Sequence, residues 1–225
     1  MDGAPGTEQN RLPVAYTGVW QRQSLAIAGR SPFEDSDVIW LQTRSYFADL
    51  RTPHCMHGAA ARVSAFSGTI RWQAPRITFI HDLDLADSAD DSAELELVAE
   101  SEDFLIERGV HRHGTQLIRY EETWRRLREA DGMTRVADGR LPSDQQPSMR
   151  FIEIAGIALL LLDERQRGGD FTAVQFARDG GDWNVTRRIG SSAISPPPSE
   201  LEGSTWMHRT WVVRECCDDG SVTTD

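Results

Sequence analysis

The sequence predicts an all-β chain: an antiparallel sandwich or barrel with few short helices. Three observations carry this. Short extended segments recur at regular spacing, the stretches between them are rich in Gly, Pro, Asp and Ser, and no long amphipathic helical pattern appears.

The first strand reads over Tyr16–Ala28, followed by the loop GRSPFEDSD. Asp37–Thr43 and Ser45–Thr52 form a strand pair joined around Arg44 and Ser45, and Pro53 ends the second. Ala61–Trp72 is a strand in which Gly68 predicts a bulge or bend. Arg76–Leu85 alternates clearly, ADSADDS is an acidic turn, and strands follow at Ala93–Glu100, Asp103–Val110 and Thr115–Leu127. The Gly-, Pro-, Asp- and Ser-rich stretch Arg128–Pro147 reads as a crossing. Four more strands are MRFIEIAG, IALLLLDE, FTAVQFAR and DWNVTRR; after the stiff SPPPSELEG loop comes a last one, STWMHRTWVVREC. Short helices fit only at Arg126–Ala130 or Gly58–Arg62. The expected organisation is a tail over 1–15, a single β-barrel domain over 16–217 and a tail over 218–225.

All 24 basic residues are Arg, against 35 acids, for a net charge of −11. That sign repels phosphate backbones and anionic bilayers, so neither nucleic acid nor membrane is an expected partner. The longest apolar run, Ile154–Leu162, is too short to span a bilayer as a helix. The N-terminus MDGAPGTEQNRLP has no hydrophobic signal core, and three Cys (55, 216 and 217) make no disulfide framework, so a cytoplasmic protein is expected. Expected partners are a small-molecule ligand or substrate and, for a homodimer, a second copy of the chain. The HCMH stretch (His54–His57) has the wrong spacing for a zinc knuckle, and HRH (His111–His113) reads as an exposed turn. No metal and no cofactor is expected. Phosphate-cradling Gly loops, a GxSxG elbow and EF-hand spacing are all missing.

Gly18-Val19-Trp20 on the first strand resembles the lipocalin and wider calycin pattern, although a Thr-Asp-Tyr turn is missing. WLQT and FADLR are similar to stretches of uncharacterised lipocalin-like proteins of bacteria and fungi. The resemblance implies an up-and-down β-barrel. It also implies that Trp20 closes the barrel floor under an Arg from the last strand, here Arg209 or Arg214.

Side chains alternate between faces of a strand. Ile118, Tyr120, Glu122 and Trp124 share one face, opposite the charged Arg119, Glu121 and Arg125. Glu122 is thus expected among aromatics, either in a salt bridge to an interior Arg or as a carboxyl with a raised pKa. Phe79, His81, Leu83 and Leu85 share a face, with His81 either a satisfied core residue or the partner of Glu122. If Trp20 points inward, so does Arg22. Trp40, Gln42 and Arg44 form one hairpin set; Phe47, Asp49 and Arg51 oppose Tyr46, Ala48 and Leu50. Both hairpin faces are mixed, which leaves their direction open. Arg22, Arg44 and Arg51 could line one end of a cavity and hold an anion, or be neutralised by Asp49 and Glu122.

These residues support two functions. One is a cofactor-independent lyase, isomerase or hydrolase acting on a small aromatic or anionic substrate. Its catalytic candidates are Glu122 as base, His81 as acid, and Tyr120 beside them, with Arg22 or Arg44 stabilising the oxyanion. The other is a carrier holding a small acid among Trp20, Trp40, Tyr120 and Trp124, with a haem variant ligated by His208 or His81. A purely structural protein with a filled core is the third alternative.

Overall fold

A computed structural model describes residues 11–55, 63–113, 116–130, 133–142, 146–202, 204–218 and 221–222. Eight antiparallel strands close into an up-and-down barrel: β1 (Gly18–Ile27), β2 (Ser36–Gln42), β3 (Tyr46–Pro53), β4 (Ser64–Gln73), β5 (Arg76–Asp84), β6 (Asp91–Leu97), β7 (Phe104–His113) and β8 (Gln116–Arg128). β8 pairs back onto β1, with Val19 opposite Arg128 and Ile27 opposite Tyr120, so no sheet edge remains. The register of β4 on β5 shifts at Ser67/Gly68, where the sequence predicts a bulge.

The barrel closes by residue 128, well short of position 217. The chain beyond it forms a second antiparallel sheet from β9 (Thr134–Arg140), β10 (Met149–Ile154), β11 (Ile157–Asp163), β12 (Phe171–Asp179), β13 (Asp182–Ile189), β14 (Thr205–Trp206), β15 (Arg209–Asp218) and β16 (Ser221–Val222). Its spatial order is β13-β12-β11-β10-β9-β15-β14, with β16 on β15. The expected crossing over 128–147 therefore contains a buried strand, β9. Its Asp138 and Gly139 read as turn residues, but Asp138 is buried and accepts from Arg150 Nε at 2.8 Å and Arg214 Nε at 3.0 Å. The expected last strand is in fact two, folded at Met207 and His208 with φ of 53° and 59°.

Both faces of this sheet are apolar. One face (Val136, Ile152, Ile154, Leu159, Leu161) packs on the outside of the barrel, against Val19, Ile39, Leu41, Ala48, Leu50 and Ala65. The other face wraps Phe151, Leu160, Phe176, Trp206 and Trp211 into a core of its own. Ion pairs frame the contact with the barrel. Arg150 Nη1 donates to Asp82 at 2.7 Å, and Arg165 donates to Asp163, Asp87 and the carbonyls of Asp84 and Leu85. This packing answers the hairpin question. Tyr46, Ala48 and Leu50 face the second sheet, and Phe47, Asp49 and Arg51 face the lumen. Both faces look mixed because both are covered.

At the closed end of the barrel Gly18 has a φ of +139°, and a Cβ there would lie 2.6 Å from the Arg128 carbonyl oxygen. Only glycine lets β8 cross so near the start of β1. Trp20 is fully buried, donates to the Tyr16 carbonyl at 3.1 Å and lies under Arg126, whose Cζ is 4.6 Å from the ring centroid. The expected Trp–Arg floor is present with a different arginine. It comes from β8, the last strand of the barrel, whereas Arg209 and Arg214 belong to the second sheet. Leu12, within the expected N-terminal tail, is fully buried in the same cluster, and Arg126 holds that segment through the Ala15 carbonyl at 2.6 Å. Residues 126–128 are strand, not helix; the other short-helix site, Gly58–Arg62, lies outside the described residues, as do Met56 and His57 of HCMH. The described helical turns are the 3₁₀ segments Val14–Tyr16 and Arg165–Arg167. No helix among the described residues is long and apolar enough to cross a membrane.

Candidate functional site

The opposite end of the barrel contains a cavity of about 310 Å³. Trp40, Phe47, Phe79 and Trp124 form its inner wall; Trp40 meets Trp124 edge-on at 5.2 Å and Phe79 at 5.9 Å between centroids. Leu25, Ile27, Phe66, Ile118, Asp91 and the exposed His111 line the rest, towards the mouth. His111 is thus a cavity-lining position of strand β7, not part of a turn.

Charged groups sit within this aromatic wall in two sets. In the first, Arg22 is 5% exposed and its guanidinium is fully engaged. Nε and Nη2 donate to Glu34 at 2.9 and 2.8 Å, and Nη1 donates to Glu122 at 2.7 Å. Arg51 donates through Nε and Nη2 to Asp49 at 2.8 and 3.1 Å, with Nη1 3.7 Å from Glu122. Asp49 and Glu122 thus pair with these two arginines, and Glu34 is a third partner.

The second set centres on Glu107, which the sequence reading missed. It stands opposite Glu122 in the β7–β8 register and is 6% exposed. Tyr120 Oη donates to Glu107 Oε1 at 2.8 Å, and Trp124 Nε1 donates to Oε2 at 3.1 Å. Burial, reinforced by the Glu122 charge and opposed by the tyrosine hydrogen bond, raises the Glu107 pKa from 4.5 to about 8. Burial and the neighbouring carboxylates also push the Tyr120 phenol upward. The arrangement depends on Gly109, opposite Tyr120. A Cβ at 109 would collide with the Tyr120 ring, which lies across β7 so that its hydroxyl reaches Glu107.

His81 lies on the lumen side of β5, stacked on Phe66 with centroids 4.9 Å apart and planes at 12°. Nδ1 is bonded to Asp84 Oδ2 at 2.7 Å, and Nε2 is 3.6 Å from Asp91 Oδ1. Burial disfavours the imidazolium, but the hydrogen bond to Asp84 and the charges of Asp84 and Asp91 outweigh it and raise the pKa from 6.5 to about 9. Its hydrogen bond goes to Asp84, and that of Glu122 to Arg22, so the two expected partners are not joined to each other.

The chain shares its fold with an uncharacterized yeast protein. This is YLR301w from Saccharomyces cerevisiae, whose crystal structure superposes with a TM-score of 0.70 over 88% of this chain and 98% of that one, at 15% identity. No protein-family model and no curated protein matches the sequence. The likeness shows the fold, which here includes a closed eight-stranded antiparallel barrel.

The remaining candidates divide by position. Trp40, Arg22, Arg51, Tyr120, Glu122 and Trp124 all line the cavity. Trp20 lies below it as floor. Gln42 is fully buried but binds protein: it accepts from Trp40 Nε1 at 3.1 Å and donates to the Thr43 carbonyl at 2.7 Å. Arg44 falls in the β2–β3 turn, beyond the strand whose alternation would have aimed it inward, and its Nε reaches the Leu12 carbonyl at 3.4 Å. His208 is exposed in the β14–β15 turn, on the sheet outside the barrel, and so cannot ligate a haem in the lumen. The signal for Glu107 was the run Leu105-x-Glu107-x-Gly109, which becomes legible once Gly109 is matched to Tyr120 across the strands.

Proposed function

We propose that this protein binds a small organic molecule in the barrel lumen. The observation that carries the reading is the aromatic-walled cavity of about 310 Å³ with a buried carboxyl, Glu107, at its polar point. Concave, mostly apolar sites with a few convergent polar groups are what small ligands need. The floor at Trp20 and Arg126 shuts one end, so a ligand enters past Ile27, Ile118 and His111. The test is mass spectrometry of the organic extract of protein purified from cells, compared with an Ile118→Trp variant that fills the mouth. A small molecule enriched only with the native chain supports the reading. Identical extracts from both proteins count against it.

One observation favours a second, catalytic reading. A carboxyl that titrates near 8 beside a tyrosine hydroxyl can exchange protons at neutral pH. Under that reading the barrel is a cofactor-independent lyase, isomerase or hydrolase. Glu107 moves the proton and Tyr120 orients it; Glu122, paired with Arg22, holds the site together, and His81 fixes the rim through Asp84. A ligand that disappears on incubation with the native protein and survives with Glu107→Gln supports catalysis. A ligand recovered unaltered from both supports carriage alone.

A further inference from the structure

The charge of the ligand follows from which lumen groups are already paired. Each inward-facing cation has a protein partner: Arg22 has Glu34 and Glu122, Arg51 has Asp49, and His81 has Asp84. Among the described residues both cavity guanidiniums are engaged by carboxylates, Arg22 through all three nitrogens and Arg51 through two, with its Nη1 3.7 Å from Glu122. Two cavity acids are less well matched. Glu107 is buried, and its oxygens are held only by neutral donors, a phenol and an indole. Asp91 stands at the mouth with its side chain 53% exposed, and the cation nearest it is His81, whose buried Nε2 makes no hydrogen bond and stops at 3.6 Å. The rings of Trp40, Trp124 and Phe79 line the same cavity, and an aromatic ring attracts a cation placed over its face. The whole molecule carries −11, which draws cations and repels anions at a distance.

We infer that the lumen selects a small organic cation, an amine or amidine on an apolar body about the size of one aromatic ring, with its charge between Glu107 and Asp91. This rests on the ligand-binding reading above and reverses the charge that the arginines of the sequence imply. An ammonium beside Glu107 favours its ionised form and pairs with it, whereas an anion there makes that ionisation harder still and gains no partner from it. A neutral molecule would fit but would leave Glu107 unanswered.

Three probes of one shape test this: 2-phenylethylamine, 2-phenylethanol and phenylacetate, titrated calorimetrically at low salt into the native chain, Glu107→Gln and Asp91→Asn. The amine should bind about tenfold tighter than the alcohol, and phenylacetate weakest. Glu107→Gln should reduce the amine's advantage over the alcohol several-fold. Asp91→Asn, at the exposed rim where folding is not at stake, should reduce it by a smaller factor. An alcohol or acetate that binds as well as the amine overturns the charge selection and leaves the lumen as a binding site. An amine preference unmoved in both variants also overturns it. Failure of all three probes to bind refutes the lumen reading together with the inference.

Discussion

Replacing Glu107 by Gln should make the protein less sensitive to alkali. The Glu107 carboxyl titrates near 8 in the folded state against 4.5 for an unperturbed glutamate, chiefly because it is buried. Between those pH values the native state keeps a proton that the unfolded chain has released. Stability therefore falls as pH rises, by about 1.4 kcal/mol per unit, towards a ceiling of about 5 kcal/mol across the window. Below pH 4.5 both states are protonated and the contribution is flat; above about 8 both are ionised and it is flat again. His81 adds a slope of the same sign. Its folded pKa is raised, so its stabilisation is complete below 6.5 and lost as pH rises through about 9. Asp84 acts oppositely and only in acid, since its pKa is lowered by the bond from His81 and by backbone donors against the effect of burial. The Gln variant keeps both of these groups, so the difference between the two proteins isolates Glu107. Urea denaturation followed by tryptophan fluorescence from pH 5 to 9 reads it. The expected result is a variant that gains on the native chain by about 1 kcal/mol per pH unit up to about pH 8, then holds its advantage. Parallel stability curves would refute the argument that burial governs this carboxyl.

Other perturbations test the surrounding structure. Arg22→Met leaves Glu122 and Glu34 without their cation and should cost about 3–5 kcal/mol by urea denaturation at pH 7, with Arg22→Met/Glu122→Met recovering part of it. Gly109→Ala forces Tyr120 off β7 and should cost about 1–3 kcal/mol, while breaking the Tyr120–Glu107 hydrogen bond raises the Glu107 pKa further, as carboxyl NMR titration would record. Arg126→Ala removes the cation over Trp20 and the tie to Ala15, and should lower stability by about 1–2 kcal/mol without changing lumen binding. The His81 imidazole should titrate with a midpoint near 9 by NMR, falling towards 6.5 in Asp84→Asn.

How far the sequence could be read depended on what covers each strand. β8 was transparent, since one face meets solvent and the other the lumen, so Tyr120, Glu122 and Trp124 separate cleanly from Arg119, Glu121 and Arg125. The β2–β3 hairpin was opaque for the opposite reason. Its outer face lies under the second sheet, and alternation carries no direction when Ile39 and Leu41 are as buried as Trp40. β9 was hidden because a buried Asp looks like a turn until its arginines, Arg150 and Arg214, are brought to it from other strands. Glu107 was hidden in the same way. Next to Arg108 it reads as a solvated charge, and only its register opposite Glu122 marks it as internal. The Trp20–Arg126 floor shows that the kind of contact can be anticipated while the partner cannot, because choosing β8 required knowing where the barrel ends.

The seven tryptophans offer the most direct measurement of whether the lumen is a binding site. Trp40 and Trp124 line the cavity, Trp20 and Trp72 pack below it, and Trp183, Trp206 and Trp211 belong to the second sheet. In a ¹⁵N-correlation spectrum titrated with 2-phenylethylamine, the indole signals of Trp40 and Trp124 should move first and furthest, while those of the second sheet stay fixed. Movement confined to Trp183, Trp206 and Trp211, or no movement at any indole, would contradict the account.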